Sequence, residues 1–235
     1  MITPQHLADT ALPSRRTVLR GTLLSATAAL SATYLAACSS SSPRPGTPTS
    51  SPSAATTGSN VKRVLLAYFS RPGENYSYGG RTDLKVGNTE VPANKIGSRI
   101  TCDTYRIQAA DPYPHDYDAT VQRNVREQDT DARPAVNGRL PLLDGYDTIL
   151  LASPIWNVRA PMIMTTFTEA LDFRGKTIHP VTTYAMSGLG TTERDYAASC
   201  PGATIAEGLA VRGEEVNDAD TEVEAWLRRT GLPAR

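Results

Sequence analysis

The sequence predicts an α/β domain built on a doubly wound, five-stranded parallel sheet. Two uninterrupted apolar runs, Val64-Leu65-Leu66-Ala67-Tyr68-Phe69 and Thr148-Ile149-Leu150-Leu151-Ala152, have the composition of strands buried on both faces. From residue 62 onward, strand-like and helix-like patterns alternate, the order expected of parallel strands joined by helical crossovers. The chain beyond residue 60 is about 175 residues long, the size of one domain.

The first strand spans 62–70. A sixteen-residue excursion, 71–86, separates it from a helix over 91–100, where Ala93, Ile96, Gly97 and Ile100 recur at helical spacing. Thr104 to Gln108 alternates like an edge strand, and 116–128 is weakly amphipathic. Asp144-Gly145 marks a turn before the central strand, 148–153. Pro161 opens a helix carrying Ile163, Phe167, Ala170 and Leu171. Thr177 to Tyr184 reads as the fourth strand, 192–198 as a short helix, and Ala203 to Arg212 as the fifth strand. A last helix with Ala219, Val223, Trp226 and Leu227 stops at Gly231 and Pro233. Ligands of such sheets bind at the carboxyl ends of the strands, where the strand order reverses. The loops after the first, third and fourth strands are therefore the ones to read for function.

Ser70 ends the first strand, and Gly87-Asn88-Thr89 precedes the next helix. The N–H groups of a helix N-terminus attract an anion, and short hydroxyl and amide side chains add hydrogen bonds. Such a loop cradles a phosphate monoester with no Lys or Arg. The P-loop lysine motif and G-x-G-x-x-G are both missing, which argues against nucleoside triphosphates and dinucleotides. FMN is the ligand these residues suggest, although Asn88 or Thr89 would equally cap a helix that binds nothing. The excursion, with Tyr76, Tyr78, Gly79 and Gly80, is long for a strand-to-helix loop. It reads equally as a lid over the ligand or as a surface hairpin.

Residues 1–37 read as an export signal. Ser14-Arg15-Arg16-Thr17-Val18-Leu19-Arg20 has the twin-arginine form, and a weakly apolar stretch follows to Leu35-Ala36-Ala37-Cys38, a lipobox. Diacylation of Cys38 would supply two chains, enough for stable anchoring outside the cell membrane; the alternative is a short transmembrane anchor. Twin-arginine export carries proteins already folded, which suits a cofactor loaded in the cytoplasm. Residues 38–60 begin with that Cys and continue as a Ser, Pro, Thr and Ala tether that cannot bury apolar surface. The folded domain is then 61–235.

The 24 Lys and Arg residues balance 24 Asp and Glu, so no basic excess points to nucleic acid. Around His115 and His179 there is no metal-ligand spacing, and no Gly-x-Ser-x-Gly elbow occurs. Cys102 and Cys200 each precede an edge strand, at opposite edges of the expected sheet. They are expected to be buried and inert, too far apart for a disulfide.

Residues 62–230 resemble the flavodoxin superfamily, in particular bacterial flavodoxin-like proteins with a long first loop. The resemblance lies in Ser70-Arg71-Pro72-Gly73-Glu74-Asn75-Tyr76 and Val86-Gly87-Asn88-Thr89-Glu90. Tyr113-Pro114, Tyr117, Ala132-Arg133-Pro134, Cys200-Pro201-Gly202-Ala203 and Gly208-Leu209-Ala210-Val211-Arg212-Gly213 extend it. It implies a sheet in the order 2-1-3-4-5, FMN as cofactor, and electron transfer. The phosphate would fall to Ser70, Gly87, Asn88 and Thr89. In the loop Pro154-Ile155-Trp156-Asn157-Val158, Trp156 would stack on the flavin. Asn157 would take the φ > 0 position that follows the stacking aromatic, because β-branched Val158 resists it. The backbone of Ser187-Gly188-Leu189-Gly190 would approach the uracil-like edge.

The protein so implied is an FMN-binding electron-transfer lipoprotein at the outer face of the cytoplasmic membrane, its partner a membrane redox protein or the quinone pool. An FMN-dependent reductase of quinones or NAD(P)H is one alternative, with export disfavouring a nicotinamide donor. A non-redox, small-ligand-binding lipoprotein is the other.

Overall fold

The computed structural model describes residues 63–232. The export signal, Cys38 and the tether lie outside them. Strand β1 (Val64–Phe69) leads into a hairpin, β2 (Gly73–Ser77) and β3 (Gly80–Leu84), then helix α1 (Glu90–Arg99). Next come β4 (Asp103–Ile107), α2 (Tyr117–Asp129), β5 (Thr148–Pro154) and α3 (Met162–Glu169). The chain closes with β6 (Thr177–Tyr184), α4 (Thr192–Ser199), β7 (Thr204–Ile205), β8 (Leu209–Arg212), a 3-10 turn over Gly213–Glu215 and α5 (Asp220–Thr230).

The main sheet runs β4-β1-β5-β6-β7, with β8 also on β6, and every pairing is parallel. Counting β7 and β8 as one interrupted strand gives the expected order, with the first strand between the second and third. Period-two geometry sorts β1 onto two cores. Val64, Leu66 and Tyr68 pack with Ala93 and Ile96 of α1 and with Val223, Trp226 and Leu227 of α5. Leu65, Ala67 and Phe69 pack on the opposite side with Ile163, Met164 and Phe167 of α3 and Tyr196 of α4. Strands buried on both faces are mostly apolar, as β1 and β5 are; β6, equally buried, carries His179, Thr182 and Thr183, each hydrogen-bonded. Cys102 packs on the α1/α5 side and Cys200 on the α3/α4 side, so the sheet separates the two sulfurs. Burial pushes the Cys200 thiol up to about 11, which keeps it protonated and unreactive at neutral pH.

One expectation changes. The fifth strand is not continuous over 203–212: Ile178 aligns with Ile205 and Val181 with Leu209, so three residues face two. The extra residue is a bulge. Its cause lies in β6, where Pro180 has no N–H to give the ladder. The Glu207 carbonyl turns away and accepts instead from His179 Nδ1 (2.8 Å) and Trp226 Nε1 (3.2 Å). Gly208 sits where a Cβ would lie 2.9 Å from the Pro180 carbonyl. The excursion 71–86 contains a two-stranded antiparallel hairpin, one of its two expected readings, with Gly73 opposite Leu84 and Ser77 opposite Gly80.

Trp226 is fully buried and holds the bulge through its N–H. Trp226→Ala is expected to lower stability by about 3–5 kcal/mol, read as an earlier urea midpoint. Trp226→Phe should cost less, since the ring volume is largely kept.

Candidate functional site

Three loops meet at the carboxyl ends of β1, β5 and β6. After β1, the Ser70 hydroxyl oxygen accepts the Glu90 N–H (3.1 Å) at the start of α1. Gly87 lies so close to this strand end that a Cβ would sit 2.4 Å from the Arg71 carbonyl and 2.5 Å from Ser70 Oγ. Thr89, buried, shares a 2.7 Å hydrogen bond between its Oγ1 and that of Thr183 on β6. After β5, Trp156 N–H donates to the Arg159 carbonyl (2.9 Å), closing a tight loop in which Asn157 has φ +67°. Val158 is half exposed, so the strained position falls to the asparagine, the non-glycine type that tolerates it best. After β6, Ser187 Oγ donates to the Asn157 carbonyl (3.2 Å), tying the second and third loops together.

These loops surround a cavity of about 470 Å³. Of the residues singled out by sequence, Asn88, Thr89, Pro154, Trp156, Asn157 and Ser187 line it. Ser70 and Gly87 do not line it; they pack against each other at the end of β1, and Ser70 lines an adjacent pocket that shares Arg71. Val158, Gly188, Leu189 and Gly190 brace the loops: the Val158 carbonyl accepts the Thr191 N–H (2.8 Å), and a Cβ on Gly190 would lie 2.3 Å from that same oxygen. The Gly188 carbonyl accepts from Thr182 Oγ1 (3.0 Å). The Leu189 side chain fills the space that Gly208 leaves open.

Trp156 is held by edge-to-face contacts with Tyr113 (centroids 4.9 Å, 78°) and Phe69 (5.7 Å, 83°). Tyr113 is fixed in turn by its hydroxyl, which donates to Glu127 (2.8 Å), and by the Arg123 guanidinium 4.0 Å above its ring. Burial and the Glu127 carboxylate together drive the Tyr113 pKa far above its ordinary value, so it stays a donor. The indole is therefore a fixed wall.

Two further walls complete the cavity. One is α2, which contributes Tyr117, Thr120, Val121, Asn124 and Val125. Its polarity is inverted: Thr120, Asn124 and Glu127 are buried against the protein, whereas Val121 and Val125 are 41% and 47% exposed. Two valines four residues apart in an otherwise polar helix were the available signal. The other wall is the hairpin, through Asn75 and Tyr76. It is pinned by an ion pair from Arg81 to Asp118 (2.8 Å), by Arg81 stacked 3.7 Å from the Tyr117 ring, and by the Tyr78 N–H donating to Glu214 (2.9 Å). The hairpin is thus both a surface hairpin and a cavity wall.

Among the described residues no cluster of His, Cys, Asp and Glu is placed to hold a metal ion, and no helix is long and apolar enough to cross a membrane.

A parallel sheet in this order with its cavity at the reversal point is a flavodoxin-like arrangement. The chain belongs to the flavodoxin family, whose sequence profile, described as Flavodoxin, matches residues 83–230. Among solved structures it is similar to a candidate flavoprotein from Bacteroides eggerthii, at 26% identity over 72% of this chain and 98% of that one, with a TM-score of 0.57. A second candidate flavoprotein, from Bacteroides uniformis, is 28% identical over 71% of this chain and 98% of that one, with a TM-score of 0.55. A flavoprotein from Lactobacillus acidophilus, crystallised in complex with FMN, aligns at 18% identity over 67% of this chain and 97% of that one, with a TM-score of 0.49. No curated protein matches the sequence.

The turn after β5 gives a direct test. Asn157→Gly is expected to be near neutral, because glycine adopts φ +67° freely. Asn157→Val should cost about 1–3 kcal/mol, seen as a lower thermal midpoint of the purified domain.

Proposed function

We propose that this protein is an FMN-binding electron-transfer flavoprotein. The observation that carries the proposal is the donor set at the N-terminus of α1, where Thr89 and Thr183 line the cavity and Ser70 lies at the end of β1. Ser70 Oγ accepts the Glu90 N–H and so keeps its own hydrogen to donate. In the Thr89–Thr183 pair one hydroxyl donates to the other, leaving the second hydrogen for a third group. Both sets lie at the N-terminus of α1, where the helix dipole favours an anion. A terminal phosphate monoester suits them, and FMN is the flavin that ends in one. The walls suit the rest: Trp156, Ile155, Val121 and Val125 offer apolar surface, while Asn75, Asn124 and Asn157 offer amides to a heteroaromatic edge. When bound, FMN supplies the capacity to take up and release electrons. The chain's own residues hold its phosphate, flank its ring and limit water.

Val121, Val125 and Met186 line the cavity yet stay exposed, Met186 at 83%. This apolar edge favours a second reading, direct reduction of an apolar acceptor such as a quinone. In either case the partner is placed at a membrane by the lipobox and tether. We read the protein as exported by the twin-arginine route and anchored by lipidated Cys38, with its domain outside the membrane.

Two experiments test these readings. Ser70→Ala with Thr89→Ala removes two hydrogen bonds to a charged group, about 1.5–3 kcal/mol each, so FMN affinity followed by flavin fluorescence should fall at least about tenfold. Unchanged affinity would sink the phosphate assignment. For export, Arg15→Lys with Arg16→Lys should leave precursor in the cytoplasm, and Cys38→Ala should release the domain from membranes on fractionation. Membrane retention of the Cys38→Ala protein would instead make the apolar stretch the anchor.

A further inference from the structure

Arg71, the residue directly after Ser70, is 8% exposed and lines the same cavity as Asn88 and Thr89. Its Nη1 donates to the carbonyls of Pro114 (2.8 Å) and His115 (3.0 Å), and its Nη2 donates to the carbonyl of Glu74. All of these partners are main-chain oxygens and none is a carboxylate. Its Nε–H is buried with no hydrogen-bond partner. A buried charge of this kind is stable only when an opposite charge or a full set of hydrogen bonds compensates it. The Glu74 and Asp116 carboxylates act on Arg71 only through space; neither forms an ion pair with it, since Glu74 Oε2 accepts the Tyr117 N–H (3.1 Å) and Asp116 Oδ1 caps α2 through the Ala119 N–H (2.7 Å). Desolvation draws the Arg71 pKa below the usual arginine value, a further mark of incomplete compensation. Among the described residues lining the cavity, the other charged one is Glu214, which has the wrong sign for an anion and is bound to the hairpin through the Tyr78 N–H.

We propose that Arg71 is a specificity-determining residue whose buried positive charge selects a phosphorylated ligand over its unphosphorylated form. The inference rests on the FMN reading and departs from the expectation that hydroxyls, an amide and a helix end do this without a cation. Arg71 acts as fixed charge: its guanidinium is held by carbonyls of the hairpin and of the turn before α2, so nothing has to reorganise when the dianion enters. Without that dianion, the buried Nε–H has no hydrogen-bond partner.

The test compares FMN with riboflavin, which lacks the phosphate. In the whole exported domain, Arg71→Gln should weaken FMN at least about tenfold and riboflavin far less. Arg71→Lys, which keeps the charge but loses the fork, should fall between wild type and Arg71→Gln in its FMN-to-riboflavin ratio. A purely structural role for Arg71 would lower both affinities together, and that result would overturn the proposal. In unmutated protein, the NMR resonance of the Arg71 Nε–H should move on adding FMN and stay in place on adding riboflavin; an equal response would also overturn it. Wild-type protein that binds neither flavin would overturn the FMN reading itself, whereas binding of both with an unchanged ratio in Arg71→Gln would overturn only the role of Arg71.

Discussion

Every contact in the cavity depends on how closely Gly87 approaches the end of β1. With a Cβ position 2.4 Å from one backbone oxygen and 2.5 Å from the Ser70 hydroxyl, no other residue fits without moving the strand end. That approach closes the sixteen-residue excursion onto its own base. It delivers the N-terminus of α1 beside Ser70 even though a hairpin has been inserted between them. Thr89 then reaches Thr183, which ties the first loop to β6, and Ser187 reaches the Asn157 carbonyl, which ties β6 to β5. The three loops thus form one connected rim, with the hairpin resting on α2 at its side.

The parts legible in the sequence were those decided by local pattern. Continuous apolar runs marked β1 and β5, because a strand covered on both faces favours apolar residues at successive positions. The Gly-Asn-Thr turn and Asn157 were legible because short-range backbone requirements select those residue types. The break in the fifth strand was not. It arises from Pro180 on one strand, a carbonyl on another and Trp226 on a helix, three residues far apart in sequence. The tight braces at Val158 and Gly190 are also matters of three-dimensional closeness, so a Gly-rich stretch that looked like ligand contact is partly loop support.

Helix α2 shows the same limit from the other direction. Its pattern looked weak because amphipathicity was sought with the apolar side inward, whereas this helix buries Thr120, Asn124 and Glu127 in a polar seam and turns two valines to the cavity. The burial of Arg71 is illegible in the sequence for a related reason. A lone arginine in a polar loop reads as solvated, and only the fold places carbonyls of Glu74, Pro114 and His115 around it.

The bulge at Glu207 has a consequence for how these molecules behave in a crowd. β7 and β8 form one rim of the sheet, and an unbroken rim is a template on which another chain can lay a strand. Here that rim offers two residues, a kink, and then four, with Glu207 salt-bridged to Arg229 beside the kink (2.8 Å). The opposite rim, β4, is short and carries Asp103 and Arg106, each engaged in an ion pair. Neither rim presents the flat, uncharged ladder that edge-to-edge stacking requires.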